Sequence, residues 1–172
     1  MSSYPFWSFD FALPDDLDPA LHRVLESLAL DALPDPADLG TLHPVPRHYL
    51  GDWRRLLVGP GEPQVGSPVR LSGAPGASRS LSLSFSQHDD EFANVGWVFW
   101  LWVLRLAAAA GRSTVLLGHH HAFERHDPQF DLIVRDATGI SEGGTTITYA
   151  ELDAAWADVV ADPYWATWAS HP

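Results

Sequence analysis

The sequence contains no cysteine and no lysine among its 172 residues, so all ten of its basic residues are arginine. The lack of cysteine excludes disulfide bonds, thiol catalysis and Cys-ligated zinc, and any metal site must consist of His and carboxylate ligands. Exclusive use of arginine, together with abundant Ala, Pro, Gly and Asp, is typical of a protein encoded by a GC-rich bacterial genome.

Positive charge is scarce. The sequence has ten basic and 22 acidic residues, which gives a formal net charge of -12 at pH 7. A surface this acidic repels phosphate groups, so we expect binding neither to nucleic acid nor to anionic membranes. Excess negative charge serves solubility in many proteins, and it also steers association with a basic protein partner.

Long hydrophobic runs are scarce as well. Residues 95–104 carry no polar side chain, but Asn94 and Arg105 flank them. A transmembrane helix needs about 20 mainly apolar residues, and an arginine near its centre costs about 2.5–3.5 kcal/mol. The run therefore predicts a helix at about residues 90–110 that is buried on nearly all sides and ends before Gly111.

The chain length fits one domain with a substantial core, and we predict a single domain over residues 1–172 because no repeat or linker divides it. Eight Trp and eight Phe indicate a core rich in tryptophan and other aromatics. The first eleven residues, MSSYPFWSFDF, have neither the basic region nor the apolar core of a signal peptide. We therefore expect a cytoplasmic protein.

Periodicity predicts strands at residues 3–11, 79–87, 113–123 and 129–139, with strict alternation of Leu or Phe and Ser in the second. Amphipathic helices are predicted to start at Asp18-Pro19 and at the Thr148/Glu151 capping box. Residues 34–46 are predicted to be irregular, and residues 48–59 fit a short helix or a strand. This order indicates an α+β fold, a mainly antiparallel sheet packed against the central helix and two amphipathic helices.

Three consecutive histidines follow a short apolar run in the segment TVLLGHHHAFERHD, residues 114–127. On a strand, His119 and His121 share a face with Leu117, and His120 points to the opposite face. Two imidazoles at this spacing can converge on one ion. Further ligands would come from the residues Glu124, His126 and, if the two strands are neighbours, His88. Such a site could hold zinc or iron.

The histidines also fit a simpler interpretation, as polar groups at a strand end that are hydrogen-bonded to water and carboxylates, in which case no cofactor is expected. The sequence contains no G-x-S-x-G, G-x-G-x-x-G or P-loop motif, so the hydrolase, dinucleotide-binding and NTPase signatures are missing. Enzymatic activity is left open, and a role without catalysis is favoured.

Small size, acidity, aromatic content and the lack of a catalytic signature favour a protein that binds another protein. They are typical of an inhibitor or immunity-type protein that neutralises a basic partner such as a toxin. The predicted partner-binding residues are aromatic hot spots and acids, namely Tyr164, Trp165, Trp168, Asp89 and Asp90. The alternative is a metal-dependent or His/carboxylate enzyme that acts on a small molecule through the His119–His121 cluster.

Overall fold

Alternating apolar and polar side chains build the strands of an antiparallel sheet. The computed structural model describes residues 5–57, 68–73, 79–86, 92–122 and 129–168. Its strands are β1 (Phe6–Ala12), β2 (Val69–Ser72), β3 (Ser80–Ser86), β4 (Val115–Ala122), β5 (Gln129–Arg135), β6 (Gly139–Glu142) and β7 (Thr145–Thr148). They form one seven-stranded sheet in the order β2-β3-β1-β4-β5-β6-β7. Each neighbouring pair is antiparallel, which confirms the predicted α+β class.

The helices are α1 (Pro19–Ala29), α2 (Pro36–Leu39), α3 (Pro44–Gly51), α4 (Trp53–Leu56), α5 (Trp97–Ala109), α6 (Tyr149–Ala161) and α7 (Pro163–Trp168). A π-helical segment, Phe92–Gly96, leads into α5. Helix α5 confirms the predicted central helix, because nine of its side chains are buried. Within the described parts of the chain, no helix is long and apolar enough to span a membrane.

One face of the sheet carries the hydrophobic core, and we call it the inner face. Trp7, Phe9 and Phe11 of β1 lie on it beside Leu81, Leu83 and Phe85 of β3, and all six are buried. They belong to one apolar cluster with buried side chains of α1, α3, α5 and α6. The opposite side of the sheet, which carries the alternate residues, is the outer face.

Helix α5 meets the inner face through an aromatic cluster. The ring of Phe99 stacks on Tyr49 of α3 at a centroid distance of 4.4 Å and contacts Phe85 of β3 edge-on at 5.3 Å. Tyr49, Phe85 and Phe99 are each almost fully buried. Since aromatic rings bury large areas and prefer such stacked and edge-on pairs, Phe99 anchors the helical layer to the sheet.

The predicted helix starts agree with the observed caps. The Asp18 carboxylate accepts hydrogen bonds from the amides of Ala20 and Leu21, and Pro19 occupies the first helical position. Thr148 and Glu151 form the predicted capping box at the start of α6. In both caps, side-chain oxygens satisfy amides that have no partner within the helix.

Residues 34–46 are not irregular, as the sequence predicted, because they contain α2 and the start of α3. Pro36 and Pro44 begin these helices, where a proline ring costs no hydrogen bond. Asp35 and His43 act as the N-caps. Of residues 48–59, the described part up to residue 57 is helical in α3 and α4 and not a strand, and residues 58 and 59 lie outside the described residues.

A buried arginine closes the C-terminal end of α5. The Arg135 guanidinium donates to the carbonyl of Ala107 at 2.6 Å and to that of Ser113 at 3.4 Å. Arg135 is 5% exposed. A cation placed at the carbonyl end of a helix is stabilised by the helix dipole, so the inner face tolerates this charge although no carboxylate of the described residues pairs with it.

Candidate functional site

A β-bulge in β4 determines which histidine faces the core. Leu116 pairs with Val134 and Gly118 with Ile133, so Leu117 is an extra residue between the two pairs. A bulge of this kind reverses the alternation of side chains along a strand. Leu117 is therefore buried on the inner face, whereas His119 lies on the outer face. The prediction from simple alternation, that His119 and His121 share a face with Leu117, was wrong because of this bulge.

Strands β4 and β1 approach each other closely at Gly118. A Cβ atom at this position would lie 1.9 Å from the carbonyl oxygen of Ser8. Only glycine fits such a contact between two backbones. The glycine before the three histidines therefore allows β4 to approach β1 closely at the start of the histidine segment.

On the outer face, His119 and His121 surround an exposed aromatic ring. The ring of Phe130 stacks on His119 with centroids 5.0 Å apart and contacts His121 at 6.2 Å. Phe130, Leu132 and Leu116 are 58%, 51% and 54% exposed. We call these residues the outer patch: Leu116, His119, His121, Phe130 and Leu132. Adjacent strands thus expose large apolar side chains on the side of the sheet opposite the core.

On the inner face, three polar residues from three strands come together. His120 is directly opposite Asp131 across the β4–β5 pair, and its Nδ1 lies 2.9 Å from Oε1 of Glu142 on β6. The same Glu142 oxygen accepts a hydrogen bond from the indole nitrogen of Trp7 at 3.3 Å. The His120 ring stacks on Trp7 with centroids 4.6 Å apart. We call His120, Asp131 and Glu142 the inner polar cluster.

His120 uses one of its two ring nitrogens in this cluster. Since Nδ1 faces a carboxylate oxygen, Nδ1 carries the proton and donates to Glu142. The other nitrogen, Nε2, is buried and has no hydrogen-bond partner among the described residues. A buried polar atom without a partner destabilises the fold, so stability does not account for the presence of a histidine at this position.

A pocket of about 370 Å³ adjoins the inner polar cluster. Helix α5 contributes Trp100 and Leu104 to its lining, and β6 and β7 contribute Ile140 and Ile147. The carboxylates of Asp131 and Glu142 complete the polar part of its wall. This combination of mainly apolar walls with a few polar groups is the usual composition of a small-molecule site.

The predicted metal ligands are only partly within the described structure. His119 and His121 share the outer face, whereas Glu124, His126 and His88 lie outside the described residues. Strand β1 separates β3 from β4, so the strands that precede His88 and contain His119 are not neighbours. Among the residues that the structure describes, no group of three or more His, Asp or Glu side chains could hold a metal ion.

The predicted partner-binding residues differ in accessibility. Tyr164 is 57% exposed, whereas Trp165 is buried against Trp97 and Tyr164 in edge-on ring contacts. Trp168 packs against His48 of α3. Helix α7 therefore docks its tryptophans on the body of the protein and leaves Tyr164 accessible. Asp89 and Asp90 lie outside the described residues.

Sequence reasoning missed the inner polar cluster. Alternation did separate His120 from His119 and His121, but it placed His120 on the face opposite the core residue Leu117, and only the bulge brings His120 to the inner face. Asp131 and Glu142 gave no signal, because their approach to His120 depends on the pairing of β4, β5 and β6.

No protein-family model, curated protein or solved structure matches the chain. The outer patch and the inner polar cluster are therefore the features that bear on function.

Proposed function

We propose that the protein binds another protein through the outer patch. The observation that carries this proposal is the exposure of Leu116, Phe130 and Leu132 on neighbouring strands. Contiguous apolar side chains on a protein surface mark interaction sites. Phe130 is the expected hot spot, since a well-held aromatic ring contributes strongly to binding when a partner excludes water from it.

Charge supports a basic partner. The net charge of -12 attracts basic proteins over long range and raises their association rate. The chain then acts as an inhibitor or immunity-type protein that covers the active surface of a basic toxin in the bacterial cytoplasm. The outer patch supplies the short-range contacts, and the acidic surface supplies the long-range attraction.

The test compares capture of partners by the wild-type chain, by the outer-patch variant Phe130→Ser/Leu132→Ser and by Leu30→Ser/Leu33→Ser. Leu30 and Leu33 are 80% and 71% exposed but lie away from the sheet, next to the end of α1, so the last variant is a matched control. A captured protein is then purified, and its affinity for the wild-type chain and for each variant is measured by calorimetry at low and high salt.

We expect the outer-patch variant to lose about tenfold or more in affinity, the typical effect of removing a hot spot. The control variant should bind like wild type, and added salt should slow association. Equal affinity of the two variants for the purified partner would refute the role of the outer patch. A generic basic protein that binds just as tightly would refute specific recognition.

A second candidate function is a metal-dependent enzyme, and the observation that favours it is the common face of His119 and His121. Under this proposal the two imidazoles would bind zinc or iron together with Glu124 or His126, and the metal would supply an activated water for attack on a small molecule. The test is the metal content of protein purified without a His-tag, for wild type and for His119→Ala/His121→Ala. Stoichiometric metal that disappears in the variant would support the enzyme over the protein-binding function.

A further inference from the structure

We infer that the pocket beside the inner polar cluster binds a small organic cation, a primary amine or an amidinium group carried on an apolar body. This site lies on the opposite side of the sheet from the outer patch and is independent of the proposed protein binding. The pocket volume of about 370 Å³ lies within the range of small-molecule sites.

The charge of the pocket selects the ligand class. Two carboxylates, Asp131 and Glu142, line it, and none of its described lining residues is basic. Glu142 already interacts with His120 and Trp7. Asp131 is half-buried and forms no hydrogen bond or ion pair with any residue that the structure describes. A partly desolvated carboxylate without a partner is best satisfied by a cation that donates hydrogen bonds.

Because Gly143 has no side chain, the Asp131 carboxylate can occupy the space beside it. A Cβ atom at residue 143 would lie 3.0 Å from Oδ2 of Asp131. The φ angle of Gly143 is 56°, in the left-handed region that glycine adopts at low cost, and it belongs to the turn between β6 and β7. The turn thus holds the free carboxylate at the pocket wall without a covering side chain.

The walls provide the remaining recognition. The lining side chains of Leu104, Ile140 and Ile147 suit an apolar body, and the indole of Trp100 can contact a cation through its ring.

The test uses phenethylamine and benzamidine as probes, with 2-phenylethanol as the neutral analogue and phenylacetate as the anionic one. Binding is followed by calorimetry and by chemical-shift changes of the tryptophan indole N–H groups. We expect both cations to bind with dissociation constants of about 1 mM or tighter and the neutral and anionic analogues to bind at least tenfold more weakly.

Two substitutions of Asp by Asn locate the site. Asp131→Asn keeps the size of the side chain and removes its charge, and it should weaken binding of both cations at least tenfold. Asp10→Asn removes an exposed charge on the outer side of β1 and should leave binding unchanged. Thermal unfolding of Asp131→Asn shows whether the fold is intact, and Phe130→Ser/Leu132→Ser should bind the cations like wild type.

The proposal is overturned if phenylacetate or 2-phenylethanol binds as tightly as the cations, or if folded Asp131→Asn binds them like wild type. It is also overturned if neither cation binds wild-type protein at about 10 mM, a concentration that would reveal even very weak sites. Because the outer-patch variant keeps the pocket intact, loss of protein binding and loss of cation binding are distinguishable.

Discussion

The two faces of the β4–β5 pair present opposite exceptions to the usual distribution of side chains. The inner face holds the polar side chains of His120 and Asp131 beside the apolar core, whereas the outer face exposes Phe130 and Leu132 to solvent. Buried polar groups and exposed apolar groups are the informative exceptions, because ordinary packing explains neither. Both exceptions occur on alternate residues of the same two strands, so function is best sought there and not along the serine-rich strand β3.

The largest expected effect tests whether stability depends on the inner face. Phe99→Ala leaves a cavity between α5 and the sheet and should reduce the free energy of unfolding by about 3–5 kcal/mol. Phe130→Ala removes an equally large ring from the outer face and should cost about 1 kcal/mol or less. Urea unfolding of both variants measures the difference. Similar losses for the two would contradict the contrast between the faces.

A smaller loss of stability is expected from a substitution in the backbone contact between β4 and β1. Gly118→Ala places a methyl group against the carbonyl of Ser8, so β1 and β4 must separate locally. We expect a loss of about 3 kcal/mol, typical of severe overpacking. Gly51→Ala is the control, since a Cβ there meets only Leu39 at an ordinary 3.6 Å. Equal unfolding midpoints for the two variants would show that β4 can shift without cost.

Neighbouring residues of β6 provide a direct comparison of the faces. Glu142→Ala removes the acceptor of both Trp7 and His120 on the inner face and should cost about 2 kcal/mol. Ser141→Ala, one residue earlier and on the outer face, should change stability by about 0.5 kcal/mol or less. The check is chemical denaturation near neutral pH, and a larger loss for Ser141→Ala would reverse the assignment of the faces.

The smallest effect concerns a histidine of the helical layer. Burial and the positive charge of Arg47 lower the pKa of His43, whose Nδ1 accepts the amide of Val45 at the start of α3. Folding therefore favours neutral His43. Its contribution to stability is complete above the unfolded pKa of about 6.5 and is lost as the pH falls toward the lower folded pKa.

His43→Asn keeps an acceptor at the N-cap and removes the titration. The unfolding midpoint in urea should therefore fall less for this variant than for wild type between about pH 7.5 and 5.5. Hydrogen bonds lower the pKa values of Glu26 and Asp136, and these carboxylates add a loss at still lower pH in both proteins. An identical pH dependence of wild type and variant in the upper range would exclude His43 as its source.

Much of the fold was predictable because its signals are local. The apolar run 95–104 predicted α5, the Leu/Ser alternation predicted β3, and the Thr148/Glu151 pair predicted the start of α6. The failure at residues 34–46 was also local. Asp35-Pro36 repeats the Asp18-Pro19 signature that correctly predicted α1, but the high density of proline and glycine around it favoured a loop.

The candidate sites were less predictable because they depend on pairing over long distances in the chain. The bulge at Leu117 is signalled only by the isolated Gly118 within the strand, yet it determines which side of the sheet His119 faces. The pocket combines a helix of residues 97–109 with strands that end at residue 148, and the strand order brings them together. Local patterns define elements, whereas sites arise from the topology that joins them.

The position of β1 also affects the order in which the protein can assemble during synthesis. Phe6 pairs with Ser86 on one side and with His121 on the other, so β1 acquires its second neighbour only after residue 121 has been made. Until then one edge of β1 lacks its hydrogen-bonding partner, a state prone to association with other chains. Pairing of β1 with β4 is therefore a late event in biosynthesis, and translation interrupted before residue 121 would release a fragment in which this edge of β1 is unpaired.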